Sequence, residues 1–577
     1  MQIRSWSVRA AAMLAAVSVL VVLFPSRPAY AAWPAPVRGK HAMVVSQHEL
    51  ASQVGVEILK KGGNAVDAAV AVGLALAVVY PEAGNIGGGG FMVIHDSKGA
   101  NHAIDYREMA PAAATRNVFV GADGKLIEGE GSSTIGYRAS GVPGTVAGFD
   151  LAFRKYGSGK VKWSDVVEPA RRLAADGYVL SYRLARVFKA YSEGLSKYPE
   201  SKRIFLNDGK FFEEGDLFKQ PDLAATLGRI SKFGAGEFYT GKTAQLIAAD
   251  MKANNGLITL DDMKAYKAKE REPLVGTYRG HKIVSMPPPS SGGIVMLEVL
   301  NILEAYDVAK MQYNSAEKYH YLAEAMRRAF ADRAEFMGDP DHVDVPTAAL
   351  VSKAYAAKRR ESIKKDKASD SKEVGHGDPT GAESMDTTNY AVVDKDGMMV
   401  VNTYTINDLY GSQVTIKGTG ILMNDEMDDF AAKPGTPNMF GLVQGERNAV
   451  MPGKRPLSSM TPTIVLKPDG TAWFGVGARG GPRIISAVLQ TVINVIDHKM
   501  DIQAAIDAPR IHHQWLPDVL RLEPVGFSPD TSAILKAYGH RLGDPSYVAS
   551  ATGLMIGDDG VRLGAIDSRG DGLAVGY

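Results

Sequence analysis

The chain contains no cysteine in its 577 residues. That absence excludes disulfide staples, thiolate metal sites, a cysteine nucleophile and a lipid-modified cysteine anchor. Long apolar runs are also scarce. Residues 10–24 are almost wholly apolar but fall short of the about 20 residues a bilayer-spanning helix needs. The later apolar run, 65–80, is interrupted by Asp67 and Gly73. Neither charge is in excess, since 65 Lys+Arg face 64 Asp+Glu, so there is no broad nucleic-acid or membrane footprint. What remains is a chain held by its core, which this length amply supports. Its expected partner is a small polar molecule or peptide.

The first residues read as an export signal. Arg4 and Arg9 precede the short apolar run, and Ala29-Tyr30-Ala31 offers small residues for cutting after Ala31. Residues 1–31 are therefore expected to be removed, leaving an exported, periplasmic or secreted protein with no stable membrane anchor. Beyond them, residues 44–77 carry a helical pattern broken at Gly62-Gly63, with Asn64 placed to cap a second, buried helix. Gly87 to Gly90 lead into a strand at 91–94, a second strand is expected at 102–107, and 316–337 repeats apolar residues at helical spacing. Residues 358–385 are rich in Lys, Asp, Ser and Gly and read as a solvated loop. Strand patterns resume at 390–393 and 398–401, flanking Lys395-Asp396-Gly397, a hairpin signal. With Asp396-Gly397 as a two-residue turn, Lys395 pairs with Met398 and Thr388 lies opposite Thr405. The break near residue 386 is the best boundary in the chain.

Some motifs mislead. Gly236-Glu-Phe-Tyr-Thr-Gly241-Lys242-Thr243 fits the P-loop pattern letter for letter. That loop needs a strand before it and small residues that let backbone N–H groups wrap a phosphate. Here residues 223–233 look like an amphipathic helix, and Phe238 and Tyr239 fill the loop, so a chance match is the reading. Gly87 to Gly90 lack dinucleotide-fingerprint spacing and read as a tight turn in a packed core. His512 and His513 are adjacent on a strand pattern and face opposite ways, which argues against a shared metal. Neither HExxH nor GxSxG occurs.

The last third holds a set of motifs that are individually ordinary. Asp386-Thr387-Thr388-Asn389-Tyr390 opens the hairpin. Asn424-Asp-Glu426-Met-Asp-Asp429-Phe430, Pro452-Gly-Lys-Arg-Pro-Leu-Ser458-Ser459-Met460 and Gly477-Ala-Arg-Gly480-Gly481 follow. In this order and spacing they resemble the γ-glutamyltransferase (glutathione hydrolase) family. Upstream, Gly63-Asn-Ala-Val-Asp-Ala-Ala69, Asp105-Tyr-Arg107-Glu-Met-Ala-Pro111, Val142-Pro-Gly-Thr145 and Pro287-Pro-Pro-Ser-Ser-Gly-Gly293 extend the resemblance over nearly the whole chain.

The resemblance implies an α+β fold, a four-layer αββα sandwich of the N-terminal nucleophile hydrolase type. It further implies autocleavage between Asp386 and Thr387 into a large subunit, 32–386, and a small catalytic subunit, 387–577, which pair as a heterodimer. Thr387 would then be nucleophile and, through its freed α-amine, base; such an amine titrates near pH 8 unaided. Thr405 would assist it, and the N–H groups of Gly480 and Gly481 would form the oxyanion hole. Arg107, with Ser458 and Ser459, corresponds to the group that holds the substrate α-carboxylate. Asn407, Glu426 and Asp429 correspond to the group that holds its α-ammonium. The implied substrates are γ-glutamyl peptides such as glutathione, with water, amino acids or peptides as acceptors and no metal or organic cofactor. Three positions depart from the family pattern. Asn389 replaces a histidine, Ala478-Arg479 replaces Ser-Pro, and Phe440 stands for a tyrosine in a lid of about residues 433–450. Two other readings stay open: a related acylase for glutaryl-cephalosporin or polyglutamate, and an uncut, non-catalytic binding protein.

Overall fold

Two seven-stranded antiparallel sheets stack face to face, with helices outside each. The computed structural model describes residues 34–376, 388–434, 436, 439 and 445–577. From edge to edge, the first sheet runs β14 (Leu573–Gly576), β2 (Met43–Ser46), β8 (Thr388–Val393), β9 (Met399–Thr405), β3 (Gly89–His95), β4 (Asn101–Asp105) and β5 (Lys269–Arg271). The second runs β1 (Val37–Gly39), β13 (Arg562–Ile566), β12 (Ser550–Ile556), β11 (Ala472–Arg479), β10 (Thr463–Leu466), β7 (His281–Ser285) and β6 (Leu274–Tyr278). The expected four-layer αββα sandwich is the fold observed.

Strand alternation explains the layering. On β8, Tyr390 and Val392 face a core shared with helices α1 (Glu49–Lys60), α2 (Ala65–Val79) and α3 (Trp163–Asp176). Ala391 and Val393 face the other way, into a core shared with Ile464 and Val476 of the second sheet. That core continues into α4 (Gly292–Leu303), α5 (Ala316–Phe336) and α6 (Arg483–Ile496). Every residue of α2 is buried, as its unbroken Ala/Val/Leu content requires. Asn64 caps α2 as expected. Its side chain accepts from the Val66 and Asp67 N–H groups, and the Asp67 side chain returns the bond to the cap.

The β8–β9 hairpin forms, but its register differs from the expectation by one residue. Thr388 pairs with Tyr404, not Thr405, and Val393 pairs with Met399. The turn has three residues, not two. The Asp394 N–H donates to the Met398 carbonyl, and Asp394 Oδ1 accepts from the N–H groups of Asp396 and Met398 at 2.9 and 3.1 Å. Gly397 then takes the left-handed position at φ 82°, as three-residue hairpin loops require.

The segment expected to be a solvated loop is partly anchored. It begins inside a helix, Lys353–Arg360, and its Ser371 is buried and donates its N–H to Asp518. Residues 377–385 lie outside the described residues. The P-loop look-alike is helical: Gly236–Thr240 and Lys242–Ala253 form two helices after the helix Pro221–Phe233, with Phe238 fully buried. No phosphate loop exists there. His512 meets Ser486 and Gln514 while His513 meets Asp518, so the adjacent histidines serve different neighbours.

Candidate active site

Arg107 follows the end of β4 and is wholly buried. Its backbone is fixed first. The Asp105 carboxylate accepts from the Arg107 N–H at 3.0 Å and is itself ion-paired with Arg455 and Arg271. The Tyr266 hydroxyl donates to the Arg107 carbonyl at 2.7 Å. The guanidinium then donates to the carbonyls of Pro456 and Leu457 at 3.2 and 3.4 Å, and to the carboxylates of Glu426 and Asp429. Three distant segments thus converge on one side chain, and they bring Arg107, Glu426 and Asp429 together.

More acid is gathered here than the motifs suggested. Glu108, Asp425 and Asp428 are also buried beside the cluster. The Arg107 Nη1–Glu108 Oε2 distance is 3.5 Å. One guanidinium cannot neutralise five enclosed carboxylates, and an unpaired buried charge is costly, so protons make up the difference. Burial pushes Glu108 up to about 7 and Asp428 up to about 7. Burial likewise drives Glu426 and Asp425 well above the usual carboxylate range, for Glu426 against the pull of Arg107. Burial opposes the charge on Arg107, but the carboxylates outweigh it and raise its pKa. Glu108 could have been suspected from its place next to Arg107. Asp425 and Asp428 could not be told from helix-capping acids.

Thr405, the last residue of β9, is buried and its Oγ1 accepts the Asn407 N–H at 2.8 Å. Asn407 turns the chain at φ 76°, and its amide donates to the Asp425 carbonyl at 3.1 Å, joining Thr405 to the acidic segment. The glycine run packs beneath. A Cβ on Gly88 would stand 2.0 Å from the Thr405 carbonyl oxygen, so only glycine allows this approach. Ser458 and Ser459 continue the segment whose carbonyls hold Arg107. The Ser458 Oγ accepts from the Met460 N–H, and the Ser459 Oγ accepts from buried Arg333 at 3.1 Å. Gly480 and Gly481 lie at the junction of β11 and α6, with φ 129° and 56°. Thr387, Asp386 and Phe440 fall outside the described residues, as does much of the 433–450 segment.

Asn389 has a structural position that the sequence did not disclose. It faces the second sheet, with its side-chain amide hydrogen-bonded to Thr403 Oγ1 at 2.7 Å and to Thr552 Oγ1, and so ties β8 and β9 to β12. A Cβ on Gly477 would stand 2.1 Å from its amide oxygen.

A family model described as Gamma-glutamyltranspeptidase matches residues 51–577. The chain belongs to the gamma-glutamyltranspeptidase family. It is 51% identical over 544 residues to a glutathione hydrolase proenzyme of Escherichia coli (strain K12), covering 94% of this chain and 93% of that protein. It is 36% identical over 546 residues to the acylase ACY 1 proenzyme of Pseudomonas sp. (strain SE83), covering 94% of each. Among solved structures, a cephalosporin acylase from Bacillus halodurans superposes with a TM-score of 0.83 at 27% identity, covering 96% of this chain and 99% of that one. The gamma-glutamyltranspeptidase of Helicobacter pylori gives 0.56 at 48% identity, covering 57% and 94%. The relatives thus include proteins named as glutathione hydrolases and proteins named as acylases.

Proposed function

We propose that this chain is an exported, self-cleaving γ-glutamyltransferase and glutathione hydrolase. The observation that carries the reading is the Arg107 cluster: a buried guanidinium and buried carboxylates side by side, complementary to the α-carboxylate and α-ammonium of a γ-glutamyl group. A glutaryl group lacks the ammonium and would offer no donor to Glu426 Oε2 and Asp429 Oδ1, two carboxylate oxygens without a partner among the described residues. This favours γ-glutamyl amides over the acylase reading.

In this proposal Thr387 Oγ1 first attacks the carbonyl of Asp386, the C–N bond breaks to give an ester and the free α-amine, and hydrolysis of that ester separates the chains and frees the hydroxyl. Subunits 32–386 and 387–577 stay paired. The observed register supports the placement of Thr405. Tyr404 pairs with Thr388, the first described residue after the proposed nucleophile, and Thr405 follows Tyr404 directly. Thr387 Oγ1 then attacks the γ-carbonyl while its amine takes the proton, and the N–H groups of Gly480 and Gly481 stabilise the oxyanion. The amine of the substrate leaves, and water or a second amine releases the γ-glutamyl ester. Export rests on the basic, apolar and small-residue order of 1–31. Among the described residues no helix is long and apolar enough to cross a membrane.

Denaturing electrophoresis tests the proposal directly. Two fragments with γ-glutamyl-anilide hydrolysis are expected, and Thr387→Ala should give one uncut, inactive chain. A single band from folded, unmutated protein would falsify the catalytic reading in favour of a binding protein.

A further inference from the structure

The two flanks of β8 differ. Toward β9, β3 and β4 lies the Arg107 cluster. Toward β2 and β14 lies a second polar group to which the γ-glutamyl moiety has no claim. Gln47 directly follows β2 and, from the pairing of Ala391 with Val45, stands level with Asn389. Gly570 lies just before β14. Arg479 ends β11, immediately before Gly480 and Gly481, and pairs with Ser550 of β12. These residues converge. A Cβ on Gly570 would meet Ser550 Oγ at 2.8 Å and Gln47 Oε1 at 3.0 Å, and would lie 3.8 Å from Arg479 Nη2.

Much of their hydrogen-bonding capacity is unused among the described residues. Gln47 is 0% exposed and Ser550 4% exposed. Both amide atoms of Gln47, the Ser550 Oγ and the Arg479 Nε have no partner among the described residues. Buried polar groups are seldom left in this state without a ligand or water to complete them. Arg479 also makes no ion pair among the described residues; its guanidinium lies over the Tyr80 ring, 5.6 Å from the centroid. Arg183 lies over the same ring at 5.2 Å but is neutralised by Glu82 at 2.6 Å and Asp571 at 3.3 Å. Beside them opens a cavity of about 570 Å³, lined in part by Gln47, His48, Tyr80, Tyr178, Arg183 and Asp571.

We propose that Arg479, Gln47 and Ser550 bind the carboxylate of the amino acid or short peptide that accepts the γ-glutamyl group, with the adjoining cavity holding the remainder. This rests on the function proposed above. In the transfer step the acceptor's neutral amine attacks the ester carbonyl. A C–N bond forms, the bond from the carbonyl carbon to Thr387 Oγ1 breaks, and the proton lost by nitrogen passes to that oxygen. An α-amine at the reacting carbon carries its carboxylate only a few atoms away. A cation one residue before the oxyanion-forming glycines is suitably placed to receive it.

The test compares glycylglycine with glycylglycinamide as acceptors from γ-glutamyl-p-nitroanilide, at equal concentrations of free amine. In the unmutated protein the amide is expected to need about a tenfold higher KM or more, as for loss of a charge-assisted pair. Arg479→Met should bring the ratio near one, with Arg479→Lys intermediate. If the unmutated protein treats both acceptors alike, or Arg479→Met keeps the discrimination, the subsite is refuted. Should Arg479→Met give no cleaved fragments, Gln47→Leu serves instead: a threefold fall in the ratio supports the subsite and an unchanged ratio refutes it. Absence of any anilide cleavage in unmutated protein strikes at the function itself, which keeps the two failures distinct.

Discussion

Asp429 contributes a single carboxylate, with one oxygen on Arg107 Nη2 and the other, Oδ1, buried and without a partner among the described residues. An incoming ammonium would complete that oxygen, which makes Asp429 the sharpest probe of substrate class. Asp429→Asn keeps shape and burial but removes the charge. Hydrolysis of γ-glutamyl-p-nitroanilide should lose about 10- to 100-fold in kcat/KM, the range expected when a buried charged hydrogen bond is lost. Glutaryl-p-nitroanilide should lose much less, because it never presented an ammonium. Measuring kcat/KM for both anilides decides the matter, and equal losses would mean that Asp429 only orients Arg107. The sequence disclosed this residue through its motif and not through any physical signal, since an acidic turn of the same composition caps helices elsewhere.

The hairpin and the helix behind it show which parts of an element a sequence discloses. The runs at 390–393 and 398–401 located the two strands and the turn between them, but not the length of the turn. The register was missed because Asp394 closes a three-residue loop through its side chain, an arrangement that Asp-Gly alone does not distinguish from a two-residue turn. One residue of slip moves every side chain to the other face. Here it makes Tyr404, and not Thr405, the partner of Thr388. Behind the hairpin, α2 holds Gly73 where propensity alone would favour alanine by up to about 1 kcal/mol. A Cβ there would stand 2.3 Å from Phe149 Cζ and 2.6 Å from the Tyr390 hydroxyl, three residues after the proposed nucleophile. Overpacking of this kind costs about 1–3 kcal/mol, so Gly73→Ala should be net destabilising in chemical denaturation. Adding Phe149→Leu should recover part of the loss, and strictly additive effects would contradict the contact.

On the scale of the whole molecule, two sets of buried titratable groups pull stability in opposite directions with pH. Glu108, Asp425, Glu426 and Asp428, close to Arg107, have folded pKa values raised by burial, to about 7 for Glu108 and Asp428. The folded state therefore holds protons that the unfolded chain releases, and this set costs stability as pH rises toward and past 7. Five histidines behave oppositely. Burial lowers His48, His498 and His513 to about 4, and His512 and His540 to about 3. Unfolding lets each take up a proton below about pH 6.5, so their contribution is complete above that pH and is lost as pH falls toward 4 and 3. Each changes stability by up to about 1.4 kcal/mol per pH unit within its window. The two sets offset one another in mildly acid solution, which hides either one in a simple melting profile. A variant exposes the histidine term. His513→Gln should be the less stable protein at pH 7.5, having lost a fitted ring and its contact to Asp518. From pH 6.5 down to 4 it should gain on the unmutated protein by up to about 3 kcal/mol, because glutamine has no proton to take up on unfolding. Denaturant midpoints of the two proteins across that range measure the gap, and a gap that stays constant or widens with acid would show that His513 is already protonated in the fold, held by Asp518.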